Sequence, residues 1–424
     1  MNLRNLFLIF LVLFSIATFS QENTIGEVKI KGAKKTNTLF LKQLLRTKKG
    51  RVLDSIALQK DVIRLKRLPA ISDAYFQVLK AENNTHTVVI NLEENGTLIP
   101  TINIWTTTNK LFSYKIGLYE YNLFGKNITL GGFYQNNGFD SYGLNFRAPF
   151  LFSKRWGLAL NFKNWKSEEP LYFGNETANY VYNNVSYEVL GMHKFNFKNG
   201  LNFGVTFFSE KYQYLTGATA PEIPQKLDLN KVLYKLIYIH NNLEHHYQYL
   251  SGFKNVLHTQ FVTANNKFQE NFFIAWYDVF YYKRIRERGN WSNRVRFGLS
   301  SNQNSPFAPF ALDNNVNLRG VGILVDRGTG SFVWNTEYRQ TIYDKKWFAI
   351  QTNIFTDLGT WRNPGGEIND FFQSKNLRVY SGIGMRFISK KIYNATFRID
   401  YGLRLSNNIS NSKGGFVFGV GQYF

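Results

Sequence analysis

Asn317-Leu318-Arg319-Gly320-Val321-Gly322 sits in an irregular segment, from about Asn302 to Gly330, and the two strands after it each carry an acid on a polar face. In Phe332–Ile342 one face reads Phe332, Trp334, Thr336, Tyr338 and Ile342, and the other reads Asn335, Glu337, Arg339 and Thr341. In the next strand Ile350, Ile354 and Leu358 share one face, while Gln351, Asn353 and Asp357 share the opposite one. Successive side chains of a strand point to opposite faces, so this alternation describes a sheet that is apolar outside and polar inside. The class that satisfies it is a closed barrel with lipid around it and a wet interior. A loop arginine folding inward then pairs with both acids, Glu337 and Asp357, through a planar guanidinium that bonds two oxygens at once.

Working outward, no helical period survives from Leu98 to Phe424. About sixteen strand-like segments occupy this stretch, from 100–107 and 112–122, through 154–166, 180–194, 200–213, 229–242 and 252–264, to 391–405 and 414–424. An even count suits a bacterial single-chain barrel. With the amino terminus on the inner side, alternate connections face outward, and the Arg319 segment falls on the sixth outer loop. Lys166–Asn179, Gly217–Asp228 and Thr360–Lys375 also land outside as long connections, and most inner turns are short.

Upstream, residues 1–20 have the pattern of a signal peptide: Arg4, the apolar run Leu6–Phe14, then Thr18 and Ser20 before a cleavage point at Gln21. Residues 21–97 form a separate unit with the order β-α-α-β-β. Ile25–Ile30 alternates as a strand, and Thr36–Leu45 and Asp54–Leu68 carry leucines at helical spacing. Asp54 or Ser55 is placed as N-cap and Pro69 as the stop, followed by strands at Ile71–Leu79 and Thr87–Leu92. Over residues 22–100 there are 14 Lys and Arg against 8 Asp and Glu, so this unit is basic.

These pieces, in this order, resemble the BamA/TamA superfamily of outer-membrane assembly and translocation proteins. That family has an Arg-Gly motif in its sixth outer loop, then a Glu-x-Arg strand and a Phe-x-Asp-x-Gly strand. Here they read Leu318-Arg319-Gly320-Val321, Glu337-Tyr338-Arg339 and Phe355-Thr356-Asp357-Leu358-Gly359, with Val321 where the family usually has an aromatic. Glu120-Tyr121-Asn122-Leu123-Phe124-Gly125-Lys126 is similar to the family's Asn-Leu-Phe-Gly turn between strands two and three. Gly382-Ile383-Gly384-Met385-Arg386 and Arg398-Ile399-Asp400-Tyr401 match its late strands. The chain closes on Gly419-Val420-Gly421-Gln422-Tyr423-Phe424, ending in the aromatic of an outer-membrane β-signal, with Gln422 in place of an apolar residue. Residues 21–97, with Gly50-Arg51-Val52-Leu53-Asp54 before the second helix and Glu93 closing the last strand, resemble a POTRA domain.

The resemblance implies a bacterial outer-membrane barrel over residues 98–424 with its POTRA-like domain in the periplasm. It also implies ATP-independent insertion or translocation of client outer-membrane or secreted polypeptides. The mechanism it implies is a weak lateral seam between the first and last strands, here Ile102 and Ile104 against Gly419, Gly421 and Phe424. The implied partners are the outer-membrane bilayer, lipopolysaccharide as a candidate, client chains, and periplasmic or lipoprotein accessory subunits. The competing classes are a two-partner-secretion pore or passive channel, marked by a plug helix or a second POTRA domain, and a structural subunit of a larger assembly complex.

Composition sets the remaining bounds. Aromatics at 17% suit interfacial girdles, and a mean hydropathy of −0.28 excludes a multi-helix membrane protein but not a barrel. The net charge of +22 is scattered and carries no nucleic-acid motif, so solvated loops and a wet lumen account for it. With no cysteine there are no disulfides or thiolate metal sites. His245 and His246 are strand neighbours on opposite faces, so they do not share a metal. No motif for an enzyme or a cofactor is present. Arg398, Asp400 and Arg404 share one face of the penultimate strand and read as a solvated lumen network.

Overall fold

The computed structural model describes residues 23–82, 85–106, 112–174, 176–264, 268, 270–302, 305–313, 317–321, 326–405 and 414–424. The signal-peptide segment 1–20 and Gly322 lie outside the described residues.

The amino-terminal unit contains β1 (Thr24–Lys31), α1 (Thr38–Leu44), α2 (Ser55–Lys66), β2 (Ile71–Lys80) and β3 (Thr85–Glu94). Its sheet order is β1-β3-β2, with β1 parallel and β2 antiparallel to the central strand, so β1 and β2 both present an edge. Asp54 caps α2 by accepting from the N–H groups of Ile56 and Ala57, and Asn37 caps α1 by accepting from Phe40. Leu41, Leu44, Leu58 and Leu65 pack on Ile25, Val88 and Ile90 as one dry core. Asp61 is fully buried and receives the N–H groups of Arg46 and Thr47, tying the end of α1 to α2.

The carboxylate that closes this unit is Glu94 rather than the expected Glu93. It accepts from the N–H groups of Lys34, Lys35 and Thr36 at 3.0, 2.9 and 2.8 Å. Glu93 is exposed, because the strand's alternation turns it away from that loop.

The rest is a closed sixteen-stranded antiparallel barrel. Its first strands are β4 (Leu98–Thr106), β5 (Phe112–Leu123), β6 (Ile128–Asn136), β7 (Asp140–Ala148), β8 (Trp156–Phe173) and β9 (Glu176–Lys194). The middle is β10 (Asn199–Gly217), β11 (Lys226–His246), β12 (Tyr249–Ala264), β13 (Phe272–Ile285) and β14 (Gly289–Ser300). A two-stranded ribbon inside the long loop supplies β15 (Phe310–Ala311) and β16 (Arg327–Gly328). The wall closes through β17 (Gly330–Asp344), β18 (Phe348–Arg362), β19 (Leu377–Ser389), β20 (Thr396–Arg404) and β21 (Gly414–Val420). Among the described residues no helix is long and apolar enough to cross a membrane. The strands present large apolar side chains outward instead, among them Leu118 at 54%, Leu144 at 63%, Ile354 at 61% and Ile383 at 66% exposed. A continuous apolar outer belt suits hydrocarbon, not water.

The expected loop at Lys166–Asn179 is not a loop. β8 and β9 stay paired from Trp156↔His193 to Phe173↔Glu176. β10 and β11 likewise shorten the expected Gly217–Asp228 connection from both ends. A bilayer needs only about 9–11 residues per tilted strand, and these strands run 18 to 21. Their outer halves are held by a separate apolar cluster of Leu171, Tyr180, Tyr212, Leu227 and Leu229, capped by Phe307 from the long loop. Charged and Pro-containing sequence concealed that pairing: Glu168, Glu169 and Pro170 read as loop, yet each has a partner in β9.

Candidate lumen lock and lateral seam

β17 and β18 are in register such that Asn335 faces Asp357 and Arg339 faces Asn353. Burial alternates along β17: Trp334 is 42% exposed, while Asn335, Glu337 and Arg339 are essentially inaccessible. Loop residues 317–321 enter the lumen above this wall. Two close approaches fix their path. Gly320 has φ +92°, and a Cβ there would lie 2.7 Å from the carbonyl oxygen of Gly402. A Cβ on Gly402 would in turn meet the carbonyl oxygen of Arg319 at 2.5 Å. Only glycine fits both positions. Val321, in the place of an aromatic, packs with Leu312, Leu318, Val333, Trp361 and Tyr380.

The Arg319 guanidinium thus meets Asp357 bidentately, Nε to Oδ2 at 2.8 Å and Nη2 to Oδ1 at 2.9 Å, and its own N–H adds a third bond at 2.9 Å. Nη1 donates to Glu337 Oε2 at 2.5 Å. The Phe355 ring lies 3.6 Å from its Cζ. Gly382 leaves room for that ring, since a Cβ there would meet Phe355 Cζ at 2.6 Å.

The lock is larger than the three residues predicted, and it is dry. Arg386 donates to both Glu337 oxygens at 3.2 and 3.0 Å and to Asp400 Oδ1 at 3.2 Å. Arg339 donates to Glu337 Oε1, and Arg398 to Asp400 Oδ2 at 3.2 Å. Arg319, Arg339, Arg386, Glu337, Asp357 and Asp400 are each at most 1% exposed, and Arg398 is 5%. The expectation that Arg398 and Asp400 form a solvated network is therefore corrected: packing of the loop over them excludes water. Arg404 stays half-exposed near the outer end of β20. Arg339 and Arg386 join the lock beyond the expected Arg319, Glu337 and Asp357. The period-two polar face of each strand was the signal that pointed to them.

The seam lies beside this cluster. Among the described residues β21 and β4 pair through Val417↔Trp105, Phe418↔Ile104 and Gly419↔Asn103 alone, against nine pairs for β4–β5 and seven for β20–β21. It is the shortest barrel ladder among the described residues. Ile102 is 45% exposed on the outer face, and Ile104 is half-buried. Gly419 leaves space for Asn103 Oδ1 and Arg398 Nη2, at 2.5 and 3.1 Å from where a Cβ would stand. At Gly421 the backbone takes φ +101° and the chain turns out of the ladder. Tyr423 and Phe424 then lie inside, with the Arg319 Cζ 4.6 Å from the Tyr423 ring and the Arg398 Cζ 4.9 Å from it. Gln422 accepts from Arg386 Nε at 3.2 Å, so the polar residue at an apolar family position has a charged partner. A second tie lies below the seam, where Gly96 N–H donates to the Lys391 carbonyl and Tyr393 N–H to Gly96.

The Asn122–Gly125 turn is where the two domains meet. Asn122 Nδ2 donates to Thr36 Oγ1 at 3.1 Å, and the Asn37 N–H to the Gly125 carbonyl at 3.0 Å. Gly125 has φ +68°, and a Cβ would strike the Lys35 carbonyl oxygen at 2.5 Å. Phe124 is 77% exposed and lies outside this contact. Arg67, just past α2, donates to the carbonyls of Phe197, Asn241 and Leu243 at 2.9, 3.1 and 3.0 Å. Glu94 tightens the same junction. Burial alone would raise its carboxyl, but hydrogen bonds from the Thr36 side chain and three backbone N–H groups outweigh that and hold it below the usual carboxylate range.

Residues 23–95 match the POTRA family, described as surface antigen variable number repeat. No curated protein matches in sequence. Among solved structures, BamA from Haemophilus ducreyi lacking POTRA domains 1–3 is similar, with a TM-score of 0.55 and 14% identity over 94% of this chain and 84% of that one. CdiB from Escherichia coli gives 0.62 and 10% over 94% and 76%. CdiB from Acinetobacter baumannii gives 0.61 and 12% over 95% and 74%.

Proposed function

We propose, from the POTRA match over residues 23–95 and the likeness of the fold to BamA and CdiB, that this chain belongs to the BamA/TamA-type superfamily and inserts or translocates polypeptides at the outer membrane without a nucleotide or metal cofactor. The observation that carries this reading is the contrast at the β4–β21 seam. Among the described residues three pairs close the barrel there, while the neighbouring wall is held by a buried network of ion pairs. A ladder contributes roughly in proportion to its cross-strand pairs, so this one costs least to open. Client strands then pair with the freed edge of β4, and the free edges of β1 and β2 collect them on the periplasmic side by strand addition. The sequence contains no cysteine, so Ile104→Cys with Phe418→Cys creates a single disulfide across a directly opposed pair. Oxidation should abolish client insertion and reductant should restore it.

A second reading, passage through the lumen as in a secretion pore, draws support from the likeness to CdiB. In that case loop residues 317–321 must leave the lumen, and full transport with the seam crosslinked would select this route over the lateral one.

A further inference from the structure

Between the end of α2 and the inner mouth of the barrel lies a cavity of about 420 Å³. Lys66, Arg67, Lys254, Arg339 and Lys390 line it together with His245, and among the described residues no Asp or Glu side chain does. Some of these cations have carboxylate partners outside the lining: Lys66 has Asp73, Lys390 has Asp344 and Arg339 has Glu337. The compensation is incomplete. Arg67 directs its guanidinium to three carbonyl oxygens, and its Nε is buried without a hydrogen-bond partner. Lys254 has no carboxylate within ion-pair distance among the described residues, Asp278 acts on it only from farther off, and the Phe280 ring lies 5.3 Å from its Nζ. Arg339 is fully buried, shares Glu337 with Arg319 and Arg386, and has an Nη1 with no hydrogen-bond partner. In the network above, among the described residues, Arg319, Arg339, Arg386 and Arg398 share Glu337, Asp357 and Asp400, and Arg339 Nη2 also reaches the Phe424 main-chain oxygen at 3.4 Å. Unpaired buried cations are costly, and an anion in the cavity would relieve them.

We propose that this vestibule is a binding site for carboxylates on an extended acidic stretch of polypeptide. This rests on the transport reading above and names the substrate chemistry it favours. The position supports a chain rather than a lipid. The cavity lies at the inner mouth of the lumen, lined by Gln422 and Thr396 next to the seam and by Ser72 and Asn95 of the amino-terminal unit, whereas the apolar belt is on the barrel's outer face. An acidic segment seated here would lie directly beneath Arg339. It would compete for that residue's pairing with Glu337, so occupancy reports to the lock.

The test measures equilibrium binding to the full-length protein in detergent micelles, with no transport step. The probe is fluorescein-labelled hexaglutamate, with hexalysine, inorganic phosphate and phosphatidylglycerol vesicles as comparison arms. Hexaglutamate should bind, and binding should weaken as salt rises. Lys254→Glu should weaken it at least tenfold, while Lys226→Glu on the outer end of β11 should leave it unchanged. Lys254→Gln with Lys390→Gln gives a milder variant should charge reversal impair folding, and should lower affinity severalfold. Equal affinity in wild type and both cavity variants would overturn the site. Displacement of hexaglutamate by millimolar phosphate, or binding of phosphatidylglycerol in its place, would overturn the polypeptide assignment. Because no transport is read, failure here leaves the lateral-gate reading standing, and failure of the seam crosslink leaves this site standing.

Discussion

The wall from β17 to β20 and the seam from β21 to β4 adjoin in one barrel, yet they are held by opposite means. The wall closes through long ladders and a dry cluster in which Arg319 alone makes three bonds to Asp357. Among the described residues the seam closes through three backbone pairs and gains little from side chains, since one of its three β21 positions is Gly419. The two are also joined. Arg398 of the cluster fills the space above Gly419, Gln422 accepts from Arg386, and Tyr423 stacks beneath Arg319. A strong element therefore anchors the last strand while its outer edge stays weakly paired. When the seam separates, β21 should stay with the lock and β4 should be the partner that moves.

The largest expected effect is at the lock. Arg319→Ala leaves Glu337 with Arg339 and Arg386, but leaves Asp357 with no cation, only the amide of Asn335 and the backbone N–H of residue 319, both at 2.9 Å. Breaking a buried pair in this way costs about 3–5 kcal/mol, and the dryness of the site removes the discount that a wet lumen would allow. Urea unfolding and the heat needed to shift gel mobility should both fall clearly. An unchanged midpoint would remove the lock from any account of stability.

The seam should respond far less. Phe418→Ala removes one cross-strand pair, worth about 0.2–1 kcal/mol, so stability should barely change while client insertion does. A loss of stability as large as that of Arg319→Ala would erase the contrast between the two regions.

The smallest effect concerns the junction between domains. The Glu94 carboxyl is held below its unfolded value, so its contribution is fully present above the ordinary carboxylate pKa of about 4.3 and is lost as pH falls through the folded value. Glu94→Gln should loosen the Lys34–Thr36 loop at neutral pH, and the difference from wild type should vanish on acidification. Protease sensitivity of the amino-terminal unit against pH measures this. A difference that persists undiminished in acid would assign the effect to shape instead of charge.

Much of this architecture follows from local pattern. Period-two alternation is a property of each strand alone, so the barrel class, the inward placement of Glu337 and Asp357, and the helices with their Asp54 cap could be read residue by residue. That the Arg-Gly pair marks a loop closing inward follows from its resemblance to a family motif and not from the pair itself; the structure supplies the reason for the glycine, a φ of +92° that no other residue meets cheaply. What the chain alone left undecided depends on register and on distant packing. The pairing of Glu169 and Pro170 with β9 depends on an apolar cluster that draws Phe307 from more than a hundred residues away. Arg386, Arg398 and Asp400 are ordinary polar positions in one dimension. They become a buried network only when loop residues 317–321 cover them and Gly384 leaves room for Asp400, whose Oδ1 lies 2.1 Å from where a Cβ would stand. Charge acquires its energy from burial, and burial is a property of the closed barrel, not of any strand within it.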